Sequence, residues 1–204
     1  MITLYSGTPG SGKSLHQAID IYWWLHNGHP CICNFEINLD NIKIRDRKKL
    51  GEFYYIDNEI LSPELLIKYS QIYFKNHRFK EGSIRLYLDE CFLLFDARAW
   101  NKKGRKEWIS FFSQHRKYGY DIYLVAQFDR MIDRQIRSLI EYEVIHRKVK
   151  NFGRWGFFFN MIATGQLFVG VKMWYPLKER ISSDFFRGKK RYFELYHTLD
   201  PFNT

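Results

Sequence analysis

The chain has 204 residues, 46% of them hydrophobic, which suits one domain with a sizeable core and excludes an intrinsically disordered segment. Its net charge of +10 is uneven: residues 1–100 carry 12 Lys and Arg against 12 Asp and Glu, whereas residues 101–204 carry 20 against 10. No apolar run approaches the ~20 residues of a membrane helix, and the first residues already read as a strand, so neither a membrane span nor a signal peptide is expected.

Met1 to Tyr5 predicts a short apolar strand. It runs directly into Gly7, Thr8, Pro9, Gly10, Ser11, Gly12, Lys13 and Ser14, a full match to the phosphate-binding loop pattern G-x-x-x-x-G-K-[ST], or Walker A. Leu15, Ala18, Ile19, Tyr22 and Leu25 then recur at helical spacing. The order strand, loop, helix is what the chemistry needs. Glycines let backbone N–H groups turn inward toward phosphate oxygens, and the following helix adds its positive end. Lys13 would reach the β- and γ-phosphates of ATP, and Ser14 would set its hydroxyl on Mg²⁺. A glycine-rich turn that merely caps a helix is the plainer reading, and the Lys13-Ser14 pair weighs against it.

Cys31 to Phe35 predicts a buried strand. Cys31 and Cys33 share a face and would be strained as a disulfide; with Cys91 they read as reduced core thiols of a cytoplasmic protein. Residues 37–51, with a basic run from Lys43 to Lys49, predict an exposed loop or short helix. Phe53 to Ile56 predicts another strand. Ser62 and Pro63 mark a helix start, with an apolar stripe of Leu65, Leu66, Tyr69, Ile72 and Tyr73.

Ile84 to Leu88 predicts a strand ending at Asp89 and Glu90. An acid at the carboxyl edge of a parallel sheet stands where ligands of open α/β folds bind. Asp89 is the candidate second Mg²⁺ residue (Walker B), and Glu90 the candidate that polarises an attacking water. A strand end capping a turn is the alternative. Residues Lys102 to Arg105 predict a basic loop. A helix bearing Trp108, Phe111, Phe112 and His115 follows, closed by Gly119.

Asp121 to Ala126 predicts the next strand, ending at Gln127, a candidate water-orienting group and phosphate sensor or else a plain strand-end amide. Arg130 to Ser138 predicts a short polar helix. Arg116, Arg130, Arg134 and Arg137 are candidates for an arginine finger stabilising transition-state charge, often from a neighbouring subunit, though most arginines are only surface charges. From Tyr142 the pattern alternates through Val144, His146 and Lys148, then Trp155 to Ile162, then Leu167 to Trp174, with Gly153 and Gly165 near turns. That predicts antiparallel strands added at one edge of the sheet.

Strands alternating with helices predict an α/β fold, a mostly parallel sheet flanked by helices. The organisation expected is a single P-loop ATPase domain over 1–204, with a nucleotide-binding core at 1–150 and a β-rich extension at 150–204. The aromatics (6 Trp, 14 Tyr, 18 Phe) and basic stretches such as Arg187 to Arg191, with Phe157 to Phe159, fit single-stranded DNA, but fit a core or oligomer interface better. The basic second half points to nucleic acid, a lipid surface or a neighbouring subunit's nucleotide, or to a solvated basic surface.

The opening MITLYSGTPGSGKS, the stretch Leu86 to Glu90 and the segment Gln114 to Gln127 together resemble the zonula occludens toxin (Zot) family, which includes the assembly ATPases of filamentous phages. The similarity runs from residue 1 to about 150, and the segment around Arg116, Gly119, Asp121 and Gln127 is its most specific part. The resemblance implies a P-loop fold related to the FtsK- and HerA-like motors, on the cytoplasmic side of the bacterial inner membrane. It implies extrusion of phage DNA with phage assembly and export proteins as partners. The chain resembles the cytoplasmic part alone, with attachment to the membrane left to a segment it lacks, and the toxin activity of the namesake is not carried over. The leading expectation is a Mg²⁺-dependent ATPase working as a homo-oligomeric ring, such as a hexamer. A nucleotide-gated assembly scaffold with little hydrolysis is the alternative, and a P-loop kinase is disfavoured because Asp89-Glu90 suits water activation.

Overall fold

The computed structural model describes residues 1–42, 49–98, 104–151 and 166–195. The expectations for most of the 43–49 basic run, for Lys102 and Lys103, for Phe157 to Phe159, for the strand at 155–162 and for the turn glycines Gly153 and Gly165 lie outside the described residues.

Eight strands form one sheet: β1 (Ile2–Ser6), β2 (Cys31–Cys33), β3 (Phe53–Tyr55), β4 (Ile84–Leu88), β5 (Tyr120–Val125), β6 (Tyr142–Lys148), β7 (Leu167–Trp174) and β8 (Glu179–Arg187). Their spatial order is β3-β2-β4-β5-β1-β6-β7-β8. Every pairing from β3 to β6 is parallel; β7 and β8 are antiparallel.

The central strands read as continuous apolar runs because both faces are covered. Leu4, Leu86, Leu88, Ile122 and Leu124 face a core built with α2 (Pro63–Asn76) and α3 (Arg105–Gln114), where Leu66, Trp108, Phe111 and Phe112 are buried. Tyr5, Tyr87, Tyr123 and Val125 face the opposite core, closed by Leu15, Ala18, Ile21 and Leu25 of α1 (Lys13–His26). Cys31, Cys33 and Cys91 are buried free thiols, with Sγ of Cys31 and Cys33 3.4 Å apart.

Three expectations are corrected. The α2 stripe is rotated: Ile72 is 52% exposed, while Leu66 and Ser70 point inward. Polar anchoring sets that face, since Tyr120 Oη donates to the Leu66 carbonyl at 2.7 Å and Ser70 Oγ to the Tyr118 carbonyl at 2.8 Å. The helix expected over 130–138 shrinks to α4 (Arg134–Arg137), because Asp133 caps it through the amides of Gln135 and Ile136 and Arg130 lies in a preceding 3-10 turn. Finally, β6 does not begin an antiparallel meander. It lies parallel to β1, and the antiparallel addition starts with β7. A further strand, β8, and a short helix α5 (Lys190–Phe193) complete the edge, the latter packing on α1.

Candidate functional site

Register places the site. Leu4, Leu124 and Leu88 are level across β1, β5 and β4, so Gly7, Gln127 and the Asp89-Glu90 pair all emerge at the carboxyl edge of the sheet. β5 is inserted between β1 and β4. Its end therefore stands between the phosphate loop and Asp89.

The loop is built by glycine conformations that other residues avoid. Gly7 has φ 140° and Gly12 φ 98°, both in the left-handed half of backbone space. A Cβ on Gly12 would lie 2.6 Å from the Phe168 ring, and one on Gly7 2.7 Å from the His146 carbonyl. The Gly7 amide donates to the Gln127 carbonyl at 3.1 Å, which fixes the loop's entry. Lys13 Nζ donates to the carbonyls of Gly7 (2.7 Å) and Thr8 (3.2 Å), so its ammonium lies across the loop's mouth. Burial lowers the Lys13 pKa while the Asp89 carboxylate pulls it the other way, so these opposite charges share one site. The Ser11 hydroxyl is buried and makes no hydrogen bond among the described residues.

Asp89 is held by its backbone. Asn34, just past β2, accepts from the Asp89 amide at 2.7 Å and donates to its carbonyl at 2.8 Å. Asp89 Oδ1 accepts from the Glu90 amide at 2.8 Å. Glu90 is exposed and left-handed at φ 46°, a conformation that costs a non-glycine residue about 1–2 kcal/mol. Strain of this kind concentrates where a side chain must be aimed.

Gln127 is exposed and lines a cavity of about 560 Å³ with Gly7 to Ser11, Asp129, Glu143 and His146. Glu143 is buried on β6, accepting from Ser6 Oγ at 2.6 Å and from Lys178 Nζ at 2.8 Å. Lys178, in the β7–β8 turn, also stands 3.8 Å from Asp129, so the added hairpin reaches back to the turn after Gln127. His146 Nε2 and His16 Nδ1 are 2.8 Å apart. Burial and the neighbouring His16 hold His146 down at about 3, and it stays neutral.

The four arginines separate. Arg116 lies at the amino edge of the sheet, paired with Glu141 at 2.5 Å, far from its own phosphate loop. Arg130 is exposed in the turn that follows Gln127 by three residues; Arg134 and Arg137 lie beyond it on α4. Asn34, Glu143 and His146 carry no role in the sequence reading. The signals available were an amide directly after a buried strand and an acid beside the apolar pair Val144 and Ile145.

Oxygen donors on Ser14, at the start of α1, and on Asp89 suit Mg²⁺, which takes one or two protein oxygens alongside phosphates and water. No group of three or more His, Cys, Asp or Glu that could hold a metal occurs among the described residues, and such a cation does not require one. Among these residues no helix is long and apolar enough to cross a membrane.

The model of the family described as "Zonular occludens toxin (Zot)" matches residues 1–196. The chain is 29% identical over 144 residues to the Gene 1 protein of Enterobacteria phage fd, covering 69% of this chain and 40% of that protein. It is 28% identical over 148 residues to the Gene 1 protein of Escherichia phage If1, covering 71% and 40%. The chain thus matches about 40% of the length of these curated relatives. Among solved structures, the N-terminal domain of zonular occludens toxin from Neisseria meningitidis superposes with a TM-score of 0.55 at 17% identity, covering 96% of this chain and 97% of that one. The genome packaging NTPase of Sulfolobus turreted icosahedral virus 2, in complex with ATP-gammaS, superposes at 0.53 and 15% identity, covering 91% and 96%. The DNA-packaging ATPase from Sulfolobus Turreted Icosahedral Virus gives 0.55 at 13%, covering 92% and 97%. At these identities the superpositions establish the fold, a P-loop NTPase with an α/β sheet of mostly parallel strands. With its phosphate loop, its carboxyl-edge acids and a family match over nearly its whole length, the chain belongs to the zonular occludens toxin (Zot) family.

Proposed function

We propose that the chain is a Mg²⁺-dependent, ATP-hydrolysing, motor-like domain, acting as a homo-oligomeric ring at the cytoplasmic side of the bacterial inner membrane in filamentous-phage assembly and DNA export. One observation carries the hydrolytic part: the phosphate loop that follows β1 and the Asp89-Glu90 pair that follows β4 emerge at the same sheet edge, with the end of β5 between them. Similarity to Gene 1 proteins of filamentous phages supports the assembly setting. Phage assembly and export proteins are the expected partners, and single-stranded DNA is a further candidate.

In this reading Lys13 and the loop amides hold the β- and γ-phosphates, while Ser14 and Asp89 hold Mg²⁺. The cation, when bound, would neutralise phosphate charge. Glu90 accepts the proton of the attacking water, and Gln127 orients that water and senses loss of the γ-phosphate through its backbone tie to Gly7. Transition-state charge is met by an arginine, drawn from Arg130, Arg134 or Arg137, or from Arg116 of an adjacent subunit.

The mass of the protein in solution, with and without a non-hydrolysable ATP analogue, tests the motor reading. A ring that forms with nucleotide is expected. A permanent monomer that still hydrolyses ATP contradicts it.

A further inference from the structure

A second cavity, of about 470 Å³, is lined by Gly10 to Leu15 of the phosphate loop and by Gln166, Phe168, Tyr192 and Phe193. The last four belong to the edge built after β6. Phe168 is on β7, Gln166 immediately precedes that strand, and Tyr192 and Phe193 are on α5. Strand order puts β7 on the opposite side of β1 from β5 and β4. A triphosphate whose terminal group meets Lys13, Asp89 and Gln127 therefore sends its nucleoside end toward this cavity.

The walls are fixed. Phe168 is buried against Gly12, close enough that any side chain there would strike its ring. Tyr192 is buried, with the Arg191 guanidinium 4.7 Å from its ring centre and 5.0 Å from that of Tyr22. Phe193 keeps part of its surface open; its ring lies where a Cβ on Gly188 would come within 2.5 Å. Gln166 is exposed, and the Gly188 amide donates to its carbonyl at 3.2 Å, which ties the strand start to the turn before α5. A partly open aromatic ring offers a face for stacking, and a primary amide supplies both a donor and an acceptor for a base edge. The cavity shares its wall with the loop amides, so phosphate and base subsites lie within one small molecule's reach.

We propose that Phe193 and Gln166 form the nucleobase subsite of this chain and take the base of a nucleoside triphosphate. The proposal rests on the nucleotide-binding reading above and deepens it. It gives the β7–α5 edge a role in ligand affinity in addition to its place in the sheet.

Calorimetric binding of Mg·ATP and of Mg·tripolyphosphate, which has the phosphates and no base, separates the two. Phe193→Ala should weaken ATP roughly tenfold, as expected for loss of one aromatic stacking partner, and Gln166→Ala should weaken it a fewfold. Tripolyphosphate affinity should stay at the wild-type value in both, which also verifies a folded loop, and Phe193→Tyr should restore ATP binding. Equal loss of both ligands, or unchanged ATP affinity in both Ala variants, overturns the base subsite and leaves phosphate binding standing. Failure of the wild-type protein to bind either ligand overturns both readings.

Discussion

The amide of Gly7 donates to the carbonyl of Gln127 at 3.1 Å, so the phosphate loop begins bonded to the residue that ends β5, the strand separating it from Asp89. A shift at the end of β5 is therefore a shift at the start of the loop. The adjoining Ala126 amide donates to Tyr5 at 3.1 Å and continues the same ladder, which leaves little slack between the two.

Glu90 holds a left-handed backbone without glycine's freedom. Replacing it with Ala keeps the strain and removes the carboxylate; replacing it with Gly removes both. Glu90→Gly is therefore expected to be more stable than Glu90→Ala by about 1 kcal/mol, or roughly 2–4 °C in a thermal melt. Both variants should lose turnover. Equal melting temperatures would mean that the conformation at this position is not strained.

Gly12 and Gly10 are both left-handed, at φ 98° and 71°, but only Gly12 has a neighbour in the way. Gly10→Ala should cost the backbone strain alone, about 1–2 kcal/mol. Gly12→Ala should cost more, because the Phe168 ring must move, and should also weaken ATP binding by displacing the start of α1. Chemical denaturation of the two variants checks the ordering; equal losses would mean that the Phe168 ring moves aside without cost.

His146 makes stability depend on pH. Its pKa is about 3 when folded, lowered by burial and by His16, against about 6.5 in an unfolded chain. Between those values the unfolded chain binds a proton that the folded protein does not. The stabilisation is thus fully present above pH 6.5 and declines as pH falls toward 3. This residue's share of the slope is about 1 kcal/mol per pH unit. His146→Gln should flatten urea-derived stability against pH between 6.5 and 4 by that amount, whatever its effect at pH 7. Parallel profiles would show that His146 titrates normally.

Much of this was legible in the sequence, for identifiable reasons. The phosphate loop is local chemistry, and the strands ending at Asp89 and Gln127 are apolar runs with a polar stop. Strand order was not legible. The alternation of Val144, His146 and Lys148 is the same for parallel and antiparallel pairing, and the parallel partner β1 lies far away in the chain. Ile72 misled because helical spacing cannot tell which of two overlapping stripes the polar anchors at Leu66 and Ser70 select. The clamp by Asn34 on Asp89 joins residues 55 apart, which no local pattern records.

The proposed hydrolysis takes place at the edge shared by Lys13, Asp89 and Glu90. Phosphate release from Mg·ATP by the wild-type protein, Lys13→Ala and Glu90→Gln, with ATP affinity measured alongside, tests it most directly. Lys13→Ala should lose binding and turnover, while Glu90→Gln should bind ATP as the wild type does and hydrolyse it at least ~100-fold more slowly. Wild-type turnover in Glu90→Gln would contradict it.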